Sequence, residues 1–467
     1  MSPPPFAIQT FDALATHYSS GEFSVSRMID EVLLRIAAQG DDRVWISRVP
    51  DSVLRQRAEN LDRARRDGGM ARLPLFGAPF AVKDNIDVAG VPTTAACPDF
   101  AYVPHVSATA VRRLEAAGAI VIGKTNLDQF ATGLVGVRSP YGVPRNPFDA
   151  DFIPGGSSSG SAIAVATGLV AFSLGTDTAG SGRVPAAFNN VVGLKPSIGL
   201  VSAAGVVPAC RSLDCVSVLA PTVDDAMRVL AAMAGPDEAD PFSRAPPAGF
   251  LPEMLGPVAS FEFAVPNGAD LEFCGNGDYE RLFAEAILRM EAIGGRRREI
   301  SFAPFASVAE LLYSDAGVAE RVAAVGDFLR DHPDSVLPVT RAIIERGRNA
   351  SAADVYRLRE RVAALRSHAM ASLEGAVLLL VPTAPTLYRI AEVERDPVAL
   401  NTKLGLYTNF ANLLDLAAIA VPSGFTAGGL PFGVSLIGRA FSEPLLAGVA
   451  AAFARASALP LGATPSR

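Results

Sequence analysis

The amino-acid sequence predicts an α/β fold, in which short buried strands alternate with amphipathic helices. Residues 75–83 and 119–123 contain apolar runs of strand length, and the segment between them, ATAVRRLEAAGA, has helical spacing. The same alternation continues through residues 154–200. Hydrophobic residues make up 49% of the 467-residue chain and charged residues only 19%, which indicates a large buried core.

The chain is expected to open with helices over residues 6–66. Ser24 or Ser26 is a candidate N-cap, and the next helical segment ends on two glycines, as helices often do. No apolar run reaches the ~18 residues of a membrane span, and the first residues lack the basic start and apolar core of a signal peptide. Four cysteines that form no CxxC pair complete the pattern, which predicts a cytoplasmic protein.

The second half of the chain is expected to return to the same sheet. Residues 235–260 are rich in Pro and Gly, which is typical of a surface excursion, and residues 278–370 are mostly helical by pattern. Strands are predicted at 261–265, 377–381, 419–422 and 434–437, and a last helix at 443–456. The most economical arrangement is one domain, 1–467, with 235–375 as a mainly helical insertion over the sheet.

Charge and residue counts exclude several classes of function. The chain has 41 Lys and Arg against 48 Asp and Glu, a net charge of −7, and no basic block, which argues against a nucleic-acid partner. Its four histidines are widely scattered, which argues against a zinc site. We expect neither a metal nor a cofactor.

Residues 154–183 hold two turns of small residues separated by an apolar run. The first is GGSSSGS and the second is GTDTAGSGR; Val170–Leu174 between them has the pattern of a buried strand. Pro185 follows, where the first turn of a helix tolerates proline. Ser181 is therefore predicted on a strand-to-helix turn. The backbone N–H groups predicted to form an oxyanion hole there are those of Thr178, Ala179, Gly180 and Ser181.

Three other interpretations of these turns fit the sequence less well. Such composition is most often a flexible loop, and it can cradle phosphate, but GxxxxGK[ST] and GxGxxG are absent here. An α/β-hydrolase elbow needs GxSxG, whereas Ala179 and Arg183 flank Ser181. No histidine neighbours Asp177 in sequence, so that carboxylate is expected to order the turn. What remains is a serine nucleophile activated by another base.

Three separated motifs resemble the amidase signature family. They are GGSSSGSA, GTDTAGSGRVPAAFNNVVGLKPS and, upstream, GAPFAVKDN. In that family the nucleophile and a bridging serine preceded by a cis peptide are 24 residues apart, and Ser157 and Ser181 are so spaced (181 − 157 = 24). A lysine, here Lys83, is the third member. The resemblance implies a single domain with a large, twisted, mixed β-sheet covered by helices on both faces, and an acyl-enzyme mechanism without a cofactor.

Physically, Lys83, Ser157 and Ser181 can form a proton relay. A serine hydroxyl is a weak nucleophile until a base takes its proton, and a lysine can be that base if burial leaves it neutral. Taken singly, a lysine beside Asp84 is more often a surface ion pair, and a serine in a turn is more often a cap. The joint occurrence of the three motifs favours the relay.

Further stretches are similar to the allophanate hydrolase branch of the family: DPVALNTKLGLYTNF, LLYSDAGVAER, ACRSLDCVS and the loop ATGLVGVRSPYG with Gly133 and Gly136. In that branch a Tyr and an Arg eight residues apart bind the substrate carboxylate, here Tyr313 and Arg321 (321 − 313 = 8). A guanidinium matches a carboxylate, and the two residues can share a face if the segment is helical. The alternative is an ordinary amphipathic helix with a solvated arginine.

The resemblance implies hydrolysis of allophanate, a small anionic amide, to ammonia and N-carboxycarbamate by a homodimer. The branch usually has a Gly-Pro-Trp-like run after the tyrosine, where this chain has Asp315, Ala316 and Gly317. We expect the chain to lack the C-terminal decarboxylase-like domain of longer relatives. Two alternatives stay open: an amidase acting on a biuret-like or malonamate-like compound, and an amidotransferase A-type subunit that passes ammonia to a partner.

Overall fold

One mixed β-sheet of 11 strands runs through the part of the chain that the structure describes. The computed structural model describes residues 10–463, apart from residues 22 and 257–259. The strands are β1 (Trp45–Arg48), β2 (Pro79–Lys83), β3 (Ile120–Thr125), β4 (Phe172–Asp177), β5 (Val192–Lys195), β6 (Cys215–Ala220), β7 (Phe261–Pro266), β8 (Gly295–Ile300), β9 (Leu378–Pro382), β10 (Leu416–Phe425) and β11 (Pro431–Arg439). Their order in the sheet is β1-β3-β2-β4-β6-β5-β10-β11-β9-β7-β8.

Helices pack against this sheet along the whole chain. Within the described residues they are α1 (Phe11–Ser19), α2 (Val25–Gln39), α3 (Asp51–Arg66), α4 (Thr109–Ala116), α5 (Ser159–Ala166), α6 (Arg183–Phe188), α7 (Val223–Met233), α8 (Gly277–Ala292), α9 (Ala303–Leu311), α10 (Asp315–Asp331), α11 (Pro338–Glu345), α12 (Ala352–Ser372), α13 (Ile390–Arg395), α14 (Ala399–Leu404), α15 (Phe410–Leu413) and α16 (Glu443–Ser457). None is long and apolar enough to cross a membrane.

The pairing of the strands confirms the predicted α/β fold with a mixed sheet. β2 is parallel to both β3 and β4, whereas β4, β6, β5, β10 and β11 pair antiparallel in turn. Every residue of β2, β3, β4 and β6 is buried, which explains why these strands are apolar runs instead of alternating patterns. These fully buried strands lie at the end of the sheet that carries the serine-rich turns.

Several elements differ from the sequence prediction. The strand predicted at 170–174 lies at Phe172–Asp177, because its pairing with β6 continues through the residues that composition alone suggested were a turn. The sequence pattern did not predict β1, β5, β6 and β8. β8 is an edge strand with the sequence GRRREI, paired only with β7, so it needs no apolar pattern.

The region 235–375 extends the sheet as well as covering it. It is mainly helical, as predicted, but it contributes both β7 and β8 to the far edge. At the other end of the chain, the helices expected within 6–66 are α1, α2 and α3, and Ser24 caps α2 by accepting from the Arg27 N–H. Residues 6–9 of that prediction, and the last four residues of the chain, lie outside the described residues.

The topology brings the candidate motifs to one edge of the sheet. β2 and β4 are adjacent parallel strands, so their carboxyl ends meet there. Lys83 is the last residue of β2, and Asp177 is the last residue of β4. The first serine-rich turn leads directly into α5, which packs against both strands.

Candidate active site

Lys83 is fully buried, and its amine contacts two hydroxyl groups. Its Nζ donates to Ser157 Oγ at 2.7 Å and to Thr176 Oγ1 at 2.8 Å. The neighbouring Asp84 pairs instead with Lys124, at 3.0 Å between Nζ and Oδ1. The alternative that Lys83 forms a surface ion pair with Asp84 is therefore wrong.

Burial lowers the pKa of the Lys83 amine to about 7, because the protonated form loses its hydration. The charges of Asp128, Asp214 and Asp177 act in the opposite direction, and that of Arg321 lowers the pKa further. A lysine with a pKa near neutrality is deprotonated in a substantial fraction of molecules at pH 7. It can therefore accept a proton, which a solvated lysine does not do at that pH.

Ser157 follows a position, Gly156, where the surrounding atoms leave no room for a side chain. The Gly156–Ser157 peptide bond is cis, and the Ser157 carbonyl accepts from the Asp128 N–H at 3.1 Å. A Cβ on Gly156 would overlap the Asp128 carboxylate. The same carboxylate accepts from the N–H groups of Gly136, at 3.0 Å, and Arg138, at 2.9 Å. Asp128 thus fixes Ser157 and the adjoining loop together.

Ser181 lies at the start of the turn into α6 and is buried. Its Oγ is 3.4 Å from the Gly133 carbonyl oxygen, and its own carbonyl accepts from the Ser158 N–H at 3.2 Å. Both serine side chains are described, and no hydrogen bond joins the Ser157 and Ser181 hydroxyls. The structure therefore brings Lys83 and Ser157 into contact and places Ser181 on the facing turn.

Asp177 orders this turn, as predicted from the sequence. Its carboxylate accepts from the N–H groups of Gly180, at 2.9 Å, and Gly182, at 3.2 Å, and it forms a buried bidentate ion pair with Arg183, whose Nε and Nη2 both lie at 2.9 Å. Burial alone would raise the pKa of Asp177, but the charge and hydrogen bonds of Arg183 outweigh it and hold that pKa below its usual range.

The predicted set of oxyanion donors needs one correction. The Gly180 N–H is not free, because it donates to Asp177. In the described part of the chain, the N–H groups of Thr178, Ala179 and Ser181 have no partner. The turn therefore presents three unpaired donors instead of four.

Tyr313 and Arg321 come together, although not on one helical face. Ser314 caps α10 by accepting from the Gly317 N–H, so Tyr313 precedes the helix and Arg321 lies within it. The guanidinium carbon of Arg321 is 5.7 Å from the centroid of the Tyr313 ring. The condition for a shared helix face, a helix through both residues, is not met, because Ser314 is the N-cap and α10 begins at Asp315, two residues after the tyrosine.

Arg321 is buried rather than solvated, with 2% of its surface exposed. Its Nη1 donates to Thr132 Oγ1 at 2.9 Å, and its Nε is buried without a hydrogen-bond partner among the described residues. A buried guanidinium with an unused donor and no carboxylate partner in that part of the chain can accept an anionic ligand.

The two glycines of the 131–142 loop lie near the serines in different ways. Gly133 offers its carbonyl oxygen to Ser181 Oγ, as described above. Gly136 has a φ of +75° and packs against Gly155, where a Cβ would be 2.5 Å from the carbonyl oxygen. Gly136 therefore requires glycine both for its backbone conformation and for this close approach.

Sequence reasoning missed Asp128 and Thr176. Asp128 follows β3, so a polar residue just after a strand was the available signal. Thr176 lies inside β4, and nothing in its sequence context distinguishes it from a structural threonine. Among the described residues, no cluster of three or more His, Cys, Asp and Glu side chains could hold a metal ion.

The Amidase family model matches residues 27–447. This chain belongs to the amidase family. It is 46% identical over 406 residues to the urea amidolyase of Lachancea kluyveri, a match that covers 86% of this chain and 22% of that protein. It therefore spans about a fifth of the length of that relative.

Two further relatives match over more of their own length. The A-type subunit of the glutamyl-tRNA(Gln) amidotransferase of Symbiobacterium thermophilum is 37% identical over 473 residues, which cover 93% of this chain and 94% of that relative. The solved structure of Kluyveromyces lactis allophanate hydrolase aligns with a TM-score of 0.92 and 39% identity, covering 98% of this chain and 75% of that one. The fold of this amidase is therefore that of the Kluyveromyces lactis enzyme.

Proposed function

We propose that this amidase hydrolyses allophanate, with Ser181 as nucleophile, Ser157 as the bridging acid–base and Lys83 as the base. The observation that carries the chemistry is the contact of 2.7 Å between Lys83 Nζ and Ser157 Oγ, made by a buried lysine whose pKa is about 7. A neutral amine at that distance can draw the hydroxyl proton of Ser157 towards itself.

The first half-reaction transfers one proton along the relay. Ser181 gives its hydroxyl proton to Ser157 while the Ser157 proton moves to Lys83, and Ser181 Oγ bonds to the terminal amide carbon of the substrate. This requires the Ser181 hydroxyl to exchange its 3.4 Å contact with the Gly133 carbonyl for a hydrogen bond to Ser157. The proton then returns through Ser157 to the leaving nitrogen, and ammonia departs.

Water completes the reaction by the same path. It gives a proton to the relay and attacks the ester carbon, and the relay returns that proton to Ser181 Oγ as the bond from this oxygen to the carbon breaks. In both half-reactions the unpaired N–H groups of Thr178, Ala179 and Ser181 stabilise the negative oxygen. Loss of one such donor in a hydrolase typically lowers the rate by roughly 10²–10³-fold.

The substrate assignment rests on Arg321 and Tyr313. Allophanate is a planar urea with a carboxylate on one nitrogen, and the buried Arg321 guanidinium has an Nε donor still available for that carboxylate. Tyr313 lies beside the guanidinium and can donate its hydroxyl to the same group. The Gly133 carbonyl can accept from the reacting amide, and Gly136 shapes the loop around it.

The similarity to urea amidolyase and allophanate hydrolase supports the same substrate. The products are ammonia and N-carboxycarbamate, which can lose carbon dioxide to yield more ammonia. We further propose that the protein is a cytoplasmic homodimer. Its single domain includes the insertion 235–375, which contributes Tyr313 and Arg321.

A second candidate function is that of an amidotransferase A-type subunit. It is favoured by the 37% identity to the glutamyl-tRNA(Gln) amidotransferase relative over nearly the full length of both chains. That function predicts little ammonia release by the chain alone. Arg321 is buried and has no carboxylate partner among the described residues, which favours instead a substrate that carries its own anion.

The test is ammonia release by the purified chain with allophanate, biuret and malonamate side by side. We expect turnover of allophanate, and a loss of about 10²–10³-fold in kcat/KM on Arg321→Ala, because a charged hydrogen-bonded pair is lost. Arg330→Ala is the matched control: Arg330 is on the same helix, exposed and paired with surface aspartates. Equal turnover of neutral biuret, indifferent to Arg321, would contradict the allophanate assignment.

A further inference from the structure

Glu320, the residue before Arg321 on α10, places both of its carboxylate oxygens on one residue of another segment. Oε1 accepts from the Ser212 N–H at 2.7 Å, and Oε2 accepts from Ser212 Oγ at 2.8 Å. Two hydrogen bonds to a single residue fix its orientation as well as its distance. The segment 209–214, here called the clamp loop, is therefore held to α10.

The clamp loop is a tight turn folded around the Asp214 carboxylate. The N–H groups of Leu213 and Asp214 donate to the Cys210 carbonyl at 2.8 and 2.9 Å. Asp214 Oδ2 accepts from the N–H groups of Ala209, at 2.9 Å, and Cys210, at 3.2 Å. Because these hydrogen bonds join the two ends of the loop, they hold Ser212 and the Asp214 carboxylate in a fixed position relative to each other.

The other oxygen of Asp214 contacts the turn over residues 178–182, which holds Ser181 and is here called the nucleophile turn. Asp214 Oδ1 accepts from the hydroxyl of Thr178, whose backbone N–H is one of the unpaired donors. A second tie comes from Asn412, whose Nδ2 donates to the carbonyls of Leu213, at 2.9 Å, and Asp177, at 2.8 Å. The clamp loop is thus fastened to the nucleophile turn directly through Asp214 and indirectly through Asn412.

We propose that the clamp loop fixes the position of α10 relative to the nucleophile turn, with Glu320 and Asp214 as positioning residues. This inference rests on the proposed function. The carboxylate end of the substrate is placed by Arg321, and the amide end must reach Ser181 and its oxyanion donors. A rigid connection between these two ends makes attack depend on correct binding of the anion.

The alternative is that these hydrogen bonds only stabilise the fold. If these hydrogen bonds were purely structural, their loss would lower the amount of active protein and would reduce the rate with every substrate by the same factor. A positioning tie would change anionic and neutral substrates differently, and its two ends would be energetically coupled.

A double-mutant cycle on Glu320→Ala and Thr178→Val tests the proposal. Thr178→Val keeps the shape of the side chain and removes only the hydroxyl that donates to Asp214. We expect each single variant to lose about 10-fold in kcat/KM for allophanate, and the double variant to lose clearly less than the ~100-fold product. Thr178→Ser should restore most of the loss, because it restores the donor.

The substrates separate binding from positioning. With a neutral amide such as propionamide, Glu320→Ala should change kcat/KM by less than about 2-fold, and Thr178→Val should lose clearly less than its ~10-fold loss on allophanate, because a substrate without an anion does not depend on the connection to α10. Asp327→Ala is the matched control: Asp327 is an exposed acid on α10 whose ion pair is with Arg330. Multiplicative losses, or equal losses of Glu320→Ala on both substrates, would overturn the proposal.

A second readout needs no substrate. Hydrogen exchange of the backbone amides of residues 176–183 should quicken in Glu320→Ala and stay unchanged in Asp327→Ala, if α10 and the nucleophile turn are linked. Unchanged exchange in Glu320→Ala would overturn the link. Absence of allophanate turnover in the unmodified chain would instead count against the proposed function, and the exchange result would stand by itself.

Discussion

The catalytic turns and helix α10 reach the candidate site by different structural means. Lys83 ends the buried strand β2, Ser181 lies on the turn after the buried strand β4, and Ser157 lies on the turn that leads into α5. Arg321 lies on α10, a helix outside the sheet, and most residues of that helix are half-buried or exposed. The first region is built from the sheet, and the second is packed onto it.

The difference separates chemistry from specificity. The turns carry the groups proposed to act on any amide, namely a nucleophile, a proton relay and oxyanion donors, and short hydrogen bonds to buried side chains fix their geometry. α10 carries Arg321, the charge proposed to select the substrate, and its polar side chains reach the loops beside the turns at Thr132 and Ser212. Changes in the first region should therefore act on kcat for every substrate, and changes in the second on selectivity.

The sharpest contrast within the first region is between two buried lysines. Lys83→Met should lower kcat by about 10³-fold or more while the protein stays folded, because it removes the base of the relay. Lys124→Met should instead lower the free energy of unfolding by about 3–5 kcal/mol, because it leaves Asp84 buried without its partner. Ammonia release and thermal unfolding of both variants measure these effects. A Lys83→Met variant that keeps its kcat would remove Lys83 from the mechanism.

The contrast can be sharpened on α10 with a substitution that keeps the charge. Arg321→Lys should raise KM for allophanate by roughly 10–100-fold with a smaller change in kcat, because an ammonium cannot form the planar two-pronged contact. Initial rates across a range of allophanate concentrations separate the two constants, with Arg330→Lys as the control on the exposed face. A fall in kcat at unchanged KM would place Arg321 in the chemical step.

The pH dependence should follow Lys83 instead of the groups on α10. Because the relay needs the neutral amine, kcat/KM should fall about tenfold per pH unit below pH 7 and level off above it. Rate profiles between pH 5 and 9 test this, with circular dichroism to establish that the fold persists at each pH. If kcat/KM for a neutral amide falls at low pH in the same way, the fall arises from the catalytic turns. If kcat/KM for the neutral amide does not fall, the effect arises from titration of the allophanate substrate.

The smallest effect is expected at Thr176, the second hydroxyl on the Lys83 amine. Thr176→Val removes an acceptor at 2.8 Å and should lower kcat by about 10-fold. Since that acceptor favours the charged amine, its loss should also move the acid limb to lower pH. Thr176→Ser should restore both values. An unchanged limb in Thr176→Val would show that this contact does not tune Lys83.

Local patterns were sufficient to predict the two turns of small residues and the ordering role of Asp177. The glycines and serines of 154–183 and the short strands around them determine most of their own geometry, so Asp177 was correctly expected to order the turn. The Gly180 N–H was misassigned because its partner, the Asp177 carboxylate, depends on side-chain direction. β5 and β6 were missed because each overlaps a motif: β5 lies within the second amidase-like motif, and β6 begins within ACRSLDCVS.

The surroundings of α10 could not be predicted in the same way. Its sequence is that of an ordinary amphipathic helix, and only packing decides that Arg321 is buried while Arg330 is exposed. The bonds from Glu320 to Ser212 join residues 108 positions apart. Contacts of that range leave no periodic signal in the sequence. The edge strand β8 lacks an apolar pattern for a different reason, because most of its residues are not buried.

The central claim is that Ser181 is the nucleophile, and two serines of the same region test it. Ammonia release from allophanate by Ser181→Ala should fall by at least about 10⁴-fold, while Ser159→Ala, a buried serine of the neighbouring turn, should retain most of the wild-type rate. Both variants should show unchanged thermal unfolding. A Ser181→Ala variant that releases ammonia at a near-normal rate would contradict the account.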